Sequence, residues 1–245
     1  MIINEIFIGS FTEKTEEEQK EILEKFREDN IHDTIKISIM PTLVNKELLK
    51  MLKKYNVTTV ELEIQSTNGY ILKKCGYSYT KEDIKKAAKL IKRSRIKVSF
   101  QVGVGLPDST KIDELNTAKD LAKLKPNLVR IYPMVVIKNT ALEEEYNKGE
   151  FEPLTLNQAI ERCKEMIYAF NRKRIHNINI VRQNELDEKK ETDIVAGAYH
   201  EAFAQLVTDG LWYDSIVEKI KQFNVKVKKV NIEVNPKELT NILRI

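Results

Sequence analysis

At 245 residues and 42% apolar side chains, the chain is long enough to bury one ordinary core, and no apolar stretch reaches the ~18 residues of a membrane span. The 41 basic and 37 acidic residues leave a net charge of +4, which is compatible with a nucleic-acid partner but falls short of the clustered basic footprint of a dedicated one. Two cysteines, Cys75 and Cys163, exclude a disulfide framework and a CxxC metal site; Met1 runs straight into Ile-Ile-Asn-Glu without a basic leader, so the expectation is a cytoplasmic, reduced protein.

The first element is an apolar strand, Ile2 to Ile8, that runs into Gly9-Ser10-Phe11-Thr12. A helix follows from Glu16 to Asp29, with Thr15 and Glu18 forming a capping box and Ile22, Leu23 and Phe26 on the buried face. Thr34 to Ile39 reads as a strand, and Lys46 to Tyr55 as a helix capped by Asn45. Val57 to Ile64 is the next strand, followed by a short helix around Ile71 to Lys74. Thr80, boxed with Asp83, starts a helix over Lys81 to Lys92; Ile96 to Val102 is a strand, Asp113 to Leu124 a helix and Leu128 to Tyr132 a strand. Beyond these the spacing predicts helices over Thr140 to Asn147, from Thr155 to Lys173, over His200 to Thr208 and over Tyr213 to Phe223. Strands are expected at Ile175 to Val181 and Val225 to Val234, a solvated loop at Asn184 to Asp193, and a last short helix after Asn235-Pro236.

Strand and helix alternate through the first part, the pattern of a parallel α/β sheet with rather continuously apolar strands. Residues 1–183 are therefore expected to form a parallel (β/α) barrel or open sheet, and residues 184–245 a small α+β appendage packed on it. In such folds the site lies at the carboxyl ends of the strands. Those ends carry Gly9-Ser10, Ser38 to Pro41, Gln65-Ser66, Gly103 to Pro107 and Tyr132-Pro133, which places them on one rim.

No nucleophile–base pair stands out. His32 and His176 read as peripheral, and His200 starts a helix that either caps, packs or faces the rim. Gly103-Val-Gly-Leu-Pro territory lacks the dinucleotide spacing, and it is open whether its glycines admit a ligand or only make a tight turn. Glu61 and Glu63 share one face of a strand, where carboxylates are costly unless paired or turned to a ligand. Gln65 and Ser66 beyond them suit a ribose or an amino acid moiety.

In order along the chain, these segments resemble the radical S-adenosylmethionine superfamily, and within it the radical domain of the elongator catalytic subunit. Phe7-Ile-Gly-Ser-Phe-Thr12 resembles the loop after the second strand, Val60-Glu-Leu-Glu-Ile-Gln-Ser66 the fourth strand, and Gln101-Val-Gly-Val-Gly-Leu-Pro107 the Gly-Leu-Pro-Gly loop after the fifth. Val129-Arg-Ile-Tyr-Pro133, Val136-Ile-Lys-Asn-Thr140, Gly149-Glu-Phe-Glu-Pro153, Val195 to Phe203 and Val234-Asn-Pro-Lys237 extend the likeness to the short bacterial members without an acetyltransferase domain. The resemblance implies a TIM-like partial barrel, a four-iron four-sulfur cluster, S-adenosylmethionine and chemistry on the wobble uridine of tRNA. It implies that Gly9, Ser10, Gln65, Ser66, Gln101, Gly103 and Tyr132 are the positions able to contact S-adenosylmethionine or a nucleoside.

The chain also departs from that family. The family's cluster needs three thiolates in a CxxxCxxC loop after a first strand, and the given sequence has neither. The family's Ser-Thr-Arg-Pro-Asp reads Ser38-Ile-Met-Pro-Thr42, its Gly-Arg-Gly-His-Thr reads Gly76-Tyr-Ser-Tyr-Thr80, and its Gly-Leu-Pro-Gly reads Gly105-Leu-Pro-Asp108. No catalytic residue, metal ligand or cofactor is thus expected in this chain itself. The expectation is a degenerate or truncated relative of the tRNA wobble-uridine enzymes. The alternatives are an active enzyme that has lost its N-terminal part, and a non-catalytic RNA- or protein-binding scaffold. Lys73-Lys74 with Tyr70, Tyr77 and Tyr79, and Arg172-Lys-Arg174, offer basic and aromatic groups to tRNA. The apolar edge of the first strand predicts a homodimer or cover by the C-terminal segment.

Overall fold

The computed structural model describes residues 5–9, 11–28, 34–181 and 193–223, with positions 229, 231 and 233. Ser10, His32, most of the loop expected at 184–193, most of the strand expected at 225–234 and the helix after it lie outside the described residues.

Six strands form one sheet in which every pairing is parallel: β1 (Glu5–Ile8), β2 (Thr34–Ile39), β3 (Val57–Gln65), β4 (Lys97–Val104), β5 (Leu128–Pro133) and, after the short β6 (Val135–Ile137), β7 (Ile178–Ile180). The order across the sheet is β1-β2-β3-β4-β5-β7. Among the described residues β1 pairs only with β2 and so forms an edge. Phe7 of β1 and Ile180 of β7 line the same cavity, so the two edges curl toward each other around a lumen. The sheet is an open half barrel.

The helices are α1 (Glu16–Glu28), α2 (Lys46–Lys54), α3 (Gly69–Lys74), α4 (Lys81–Arg93), α5 (Lys111–Ala122), α6 (Ala141–Asn147), α7 (Leu156–Asn171) and α8 (Phe203–Lys221). Side-chain caps set their starts: Thr15 with Glu18, Asn45, Thr80 with Asp83, and Thr155 with Gln158 each satisfy amides that the first helical turn leaves without partners. α5 begins earlier than Asp113. Asp113 is the third helical residue of a box closed by Thr110, and the box carries the helix back to Lys111.

Alternation along the strands sorts the two faces. Ile35, Ile37, Ile39, Val60, Leu62, Ile64, Val98, Phe100, Val102, Val129 and Ile131 are buried in one core with the helices. The strands are not continuously apolar, because the lumen face carries Lys36, Ser38, Glu61, Ser99 and Arg130.

Two parts of the second half differ from the sequence expectation. β6 pairs antiparallel with β8 (Ile194–Gly197), a two-stranded sheet that the periodicity did not announce, since neither strand exceeds four residues. α8 is one helix where two were expected. Gly210 does not break it: a Cβ there would stand 3.0 Å from Cδ of Lys164 on α7, so the glycine admits a close helix crossing. Ala198, Phe203 and Val207 join the core of the sheet. Among the described residues no helix is long and apolar enough to cross a membrane.

Candidate functional site

Among the described residues, two cavities border the strands of the half barrel. The first lies at the carboxyl ends of β3, β4 and β5 and has a volume of about 580 Å³. Gln65, Gln101 and Tyr132 line it together, one from each of three neighbouring strands. Gln65 sits at a register shift between β3 and β4, in the left-handed region at φ 54°. An L-residue holds that conformation only when its surroundings impose it. The Gln65 amide reaches Tyr77, whose phenol is pushed up by burial. Tyr77 packs on Tyr79 with ring centroids 5.3 Å apart, and the Tyr79 hydroxyl donates to the carbonyl of Ile64 at 2.7 Å.

The other expected positions are placed differently. A Cβ on Gly103 would stand 2.8 Å from Cδ2 of Leu106 and 3.2 Å from Oε1 of Gln65, so this glycine makes room for the protein's own rim. Ser66 is buried, its hydroxyl 3.3 Å from that of Thr117 and accepting the Asn68 amide at 3.1 Å. It braces the turn into α3 and does not line the rim cavity. Gly9 follows the edge strand β1 and does not line this cavity. Ser10 lies outside the described residues. His200 is exposed and caps locally, its Nδ1 accepting the Ala202 amide at 3.0 Å.

The loop after β4 is held from behind. Glu114 of α5 accepts the Gly105 amide at 2.7 Å, and Arg162 of α7 grips both of its oxygens. That grip sets the positions of Leu106 and Pro107, which form part of the cavity wall.

The second cavity, about 620 Å³, lies in the lumen between β1, β2, β5 and β7 and under α8. Behind it sits Glu61, fully buried. Lys36 Nζ lies 3.0 Å from Oε2 and Arg130 Nη1 3.0 Å from Oε1, while Ser99 donates to Oε2 at 3.0 Å. The paired-carboxylate question thus resolves as an ion network. Glu63, one layer nearer the rim, accepts from Ser38 at 2.6 Å. Lys36 and Arg130 also stand over the Phe7 ring, at 5.3 and 4.9 Å from its centroid. Sequence reading noted Arg130 only within the Val129–Pro133 motif and passed over Lys36 and Ser99; period-two spacing within β-branched strands was the available signal. His176, expected to be peripheral, lines this cavity and lies 3.1 Å from Oδ1 of Asn171.

The two thiols lie in different surroundings, and only Cys75 borders a cavity described above. Cys163 is buried in α7, and burial pushes its thiol up; Cys75 is half-buried on the rim cavity, its thiol raised by burial and then by Glu145 and Asp108. Among the described residues no group of three or more His, Cys, Asp or Glu could hold a metal ion.

The half barrel, its rim and its order of motifs agree with two family models that match consecutive stretches. The Radical SAM superfamily model matches residues 2–121, and the Radical_SAM C-terminal domain model matches residues 126–212. The chain belongs to the radical SAM superfamily. The tRNA uridine(34) acetyltransferase of Methanocaldococcus infernus is 32% identical over 151 residues, which are 60% of this chain and 28% of that protein. The enzyme of the same name from Methanocaldococcus jannaschii is 38% identical over 119 residues, 47% of this chain and 22% of that protein. The solved structure of archaeal Methanocaldococcus infernus Elp3 with an N-terminal deletion superposes with a TM-score of 0.70 at 26% identity, covering 88% of this chain and 55% of that one. This radical SAM chain is thus related to Elp3-type tRNA-modification proteins, and it spans about a quarter of the curated relatives and about half of the solved one. Its 245 residues do not carry the cysteine motif of the superfamily, and the two thiols present do not fit a cluster.

Proposed function

We propose that this chain is a degenerate radical SAM protein of the wobble-uridine modification group, which takes a nucleoside or S-adenosylmethionine weakly at the rim and does not perform radical chemistry by itself. One observation carries this reading. Gln65, Gln101 and Tyr132 converge on one cavity from three adjacent strands, while the two thiols stay apart, one of them sealed in α7. The amides of Gln65 and Gln101 suit ribose hydroxyls, and Tyr77 and Tyr132 offer aromatic faces to a base. When bound, S-adenosylmethionine would supply its adenosine moiety to this wall.

Calorimetry with S-adenosylmethionine tests the rim. The expected dissociation constant is weaker than roughly 100 μM, about −5.5 kcal/mol of binding. Micromolar affinity would overturn the degenerate site, and no heat at millimolar ligand would remove the rim as a nucleoside site. Anaerobic reconstitution with ferrous iron and sulfide tests the rest; a coloured cluster retained through gel filtration would sink the non-catalytic reading.

Three further readings go with the proposal. The unpaired cysteines support a cytoplasmic, reduced protein. The names of the relatives support tRNA as a partner; here Tyr70 is exposed, but Lys74 is matched by Glu145 at 3.5 Å. A tRNA shift assay must show binding that falls steeply with salt. The β1 edge supports a homodimer, and sedimentation showing only monomer would remove it.

A further inference from the structure

We propose that the lumen cavity is a second binding site, separate from the rim, and that it takes a phosphate group on Arg130 and Lys36. Its polar wall is formed by Lys36, Arg130, His176, Asn171, Asn179 and Thr208, and among the described residues no carboxylate lines it. One carboxylate, offsetting one of the two positive charges, lies behind them. Glu61 holds Lys36 on one oxygen and Arg130 on the other, so both cations are fixed from the rear.

Arg130 is the better defined of the two. Its guanidinium uses Nη1 on Glu61, and its carbon lies 4.9 Å from the Phe7 centroid and 5.2 Å from that of Tyr132. Two rings and one carboxylate fix the plane of a fork whose remaining N–H groups match the spacing of phosphate oxygens. An ion network of this kind is a poor device for stability alone, because well-packed apolar side chains in its place are often neutral or better. Here it also borders an open volume of about 620 Å³ instead of being sealed in. Beside Arg130 its register partner Asn179 on β7, and from the helices Asn171 and Thr208, offer neutral hydrogen-bonding groups. Phe7, 42% exposed, gives the mouth an apolar ring. The group could arrive as free phosphate or on a nucleotide. The proposal stands independently of the rim reading, since the two cavities share no lining residue.

Titration calorimetry with inorganic phosphate, uridine 5′-monophosphate and uridine tests it. Binding of the first two without uridine supports the site. A nucleotide affinity at least 5-fold above that of phosphate assigns it to a nucleotide, and equal affinities assign it to the phosphate group alone. No binding of either at 10 mM overturns the proposal. Arg130→Lys keeps the charge beside Glu61 but loses the fork, and phosphate affinity is expected to fall at least 5-fold; an unchanged affinity also overturns it. Should that variant fail to fold, Asn179→Leu on the exposed short edge strand β7 replaces it, with a loss of phosphate affinity expected and an unchanged value against the proposal.

Discussion

Arg162 donates from Nε and Nη2 to the two oxygens of Glu114, each at 2.7 Å, and through that pair α7 fixes the backbone of the loop after β4. Glu114 is buried, and burial raises its carboxyl; the Arg162 guanidinium and the Gly105 amide act against that rise. The pair links a helix interior to the rim. Arg162→Met leaves the carboxylate buried without its cation, and a loss of about 3–5 kcal/mol is expected. Urea unfolding measures it, and hydrogen exchange at the Gly105 amide should speed up in the same variant. A loss under 1 kcal/mol would show that the loop does not depend on the pair.

Gly103→Ala tests the packing of the rim. The new Cβ would meet Leu106 and Oε1 of Gln65, neither of which can move without disturbing the cavity wall. Overpacking of this kind costs about 1–3 kcal/mol. The melting temperature should fall, and the weak heat of S-adenosylmethionine binding should vanish. Wild-type stability in this variant would mean that Leu106 swings clear.

Cysteine alkylation as a function of pH tests the thiols. Burial, then Glu145 and Asp108, raise the Cys75 thiol, so less thiolate is present at a given pH than in a free cysteine. Its reaction with iodoacetamide should therefore lag a cysteine peptide at pH 8 and catch up only at more alkaline pH. Cys163, sealed in α7, should stay unlabelled until the protein unfolds. Peptide mass mapping distinguishes the two sites, and early labelling of Cys163 would contradict the packing of α7.

Acid should loosen the capped helices. Hydrogen bonds from Thr80 hold Asp83 below its ordinary value of 3.8, and those from Thr110 do the same for Asp113. A carboxyl lowered on folding stabilises the native state above its unfolded value, and that contribution is lost as pH falls through the folded value. The window thus lies below pH 3.8. Asp83→Asn and Asp113→Asn should be less stable than the wild type at pH 6, with the gap closing toward pH 2 in thermal melts. A gap that stays constant would show that the boxes act through shape and not charge.

Much of the fold was legible because its signals are local. β2 spans the expected residues Thr34–Ile39, and Thr15, Asn45, Thr80 and Thr155 announced helix starts that the structure shows. The start of α5 was missed because Thr110 stands behind the turn at Pro107 and Asp108, which obscured its pairing with Asp113. α8 was expected as two helices, over His200 to Thr208 and Tyr213 to Phe223; Gly210 lies between them and inside the single helix, where it admits the approach of Lys164. Of the expected contact residues, Gln65, Gln101 and Tyr132 share a cavity, while Ser66 is taken up by Thr117 and Asn68.

The sequence by itself determined the alternation of strands and helices, the caps, the rim motifs and the presence of two cysteines, since all of these depend on neighbours a few positions apart or on composition. Only the tertiary structure decided what faces what. Parallel pairing brought Lys36, Glu61, Ser99 and Arg130 from four strands into one network, and curling of the sheet brought Phe7 and Ile180 around one cavity. The physical reason is that period-two alternation tells which residues share a face of a strand, but not which face will be covered by helices and which will be left as a charged lumen.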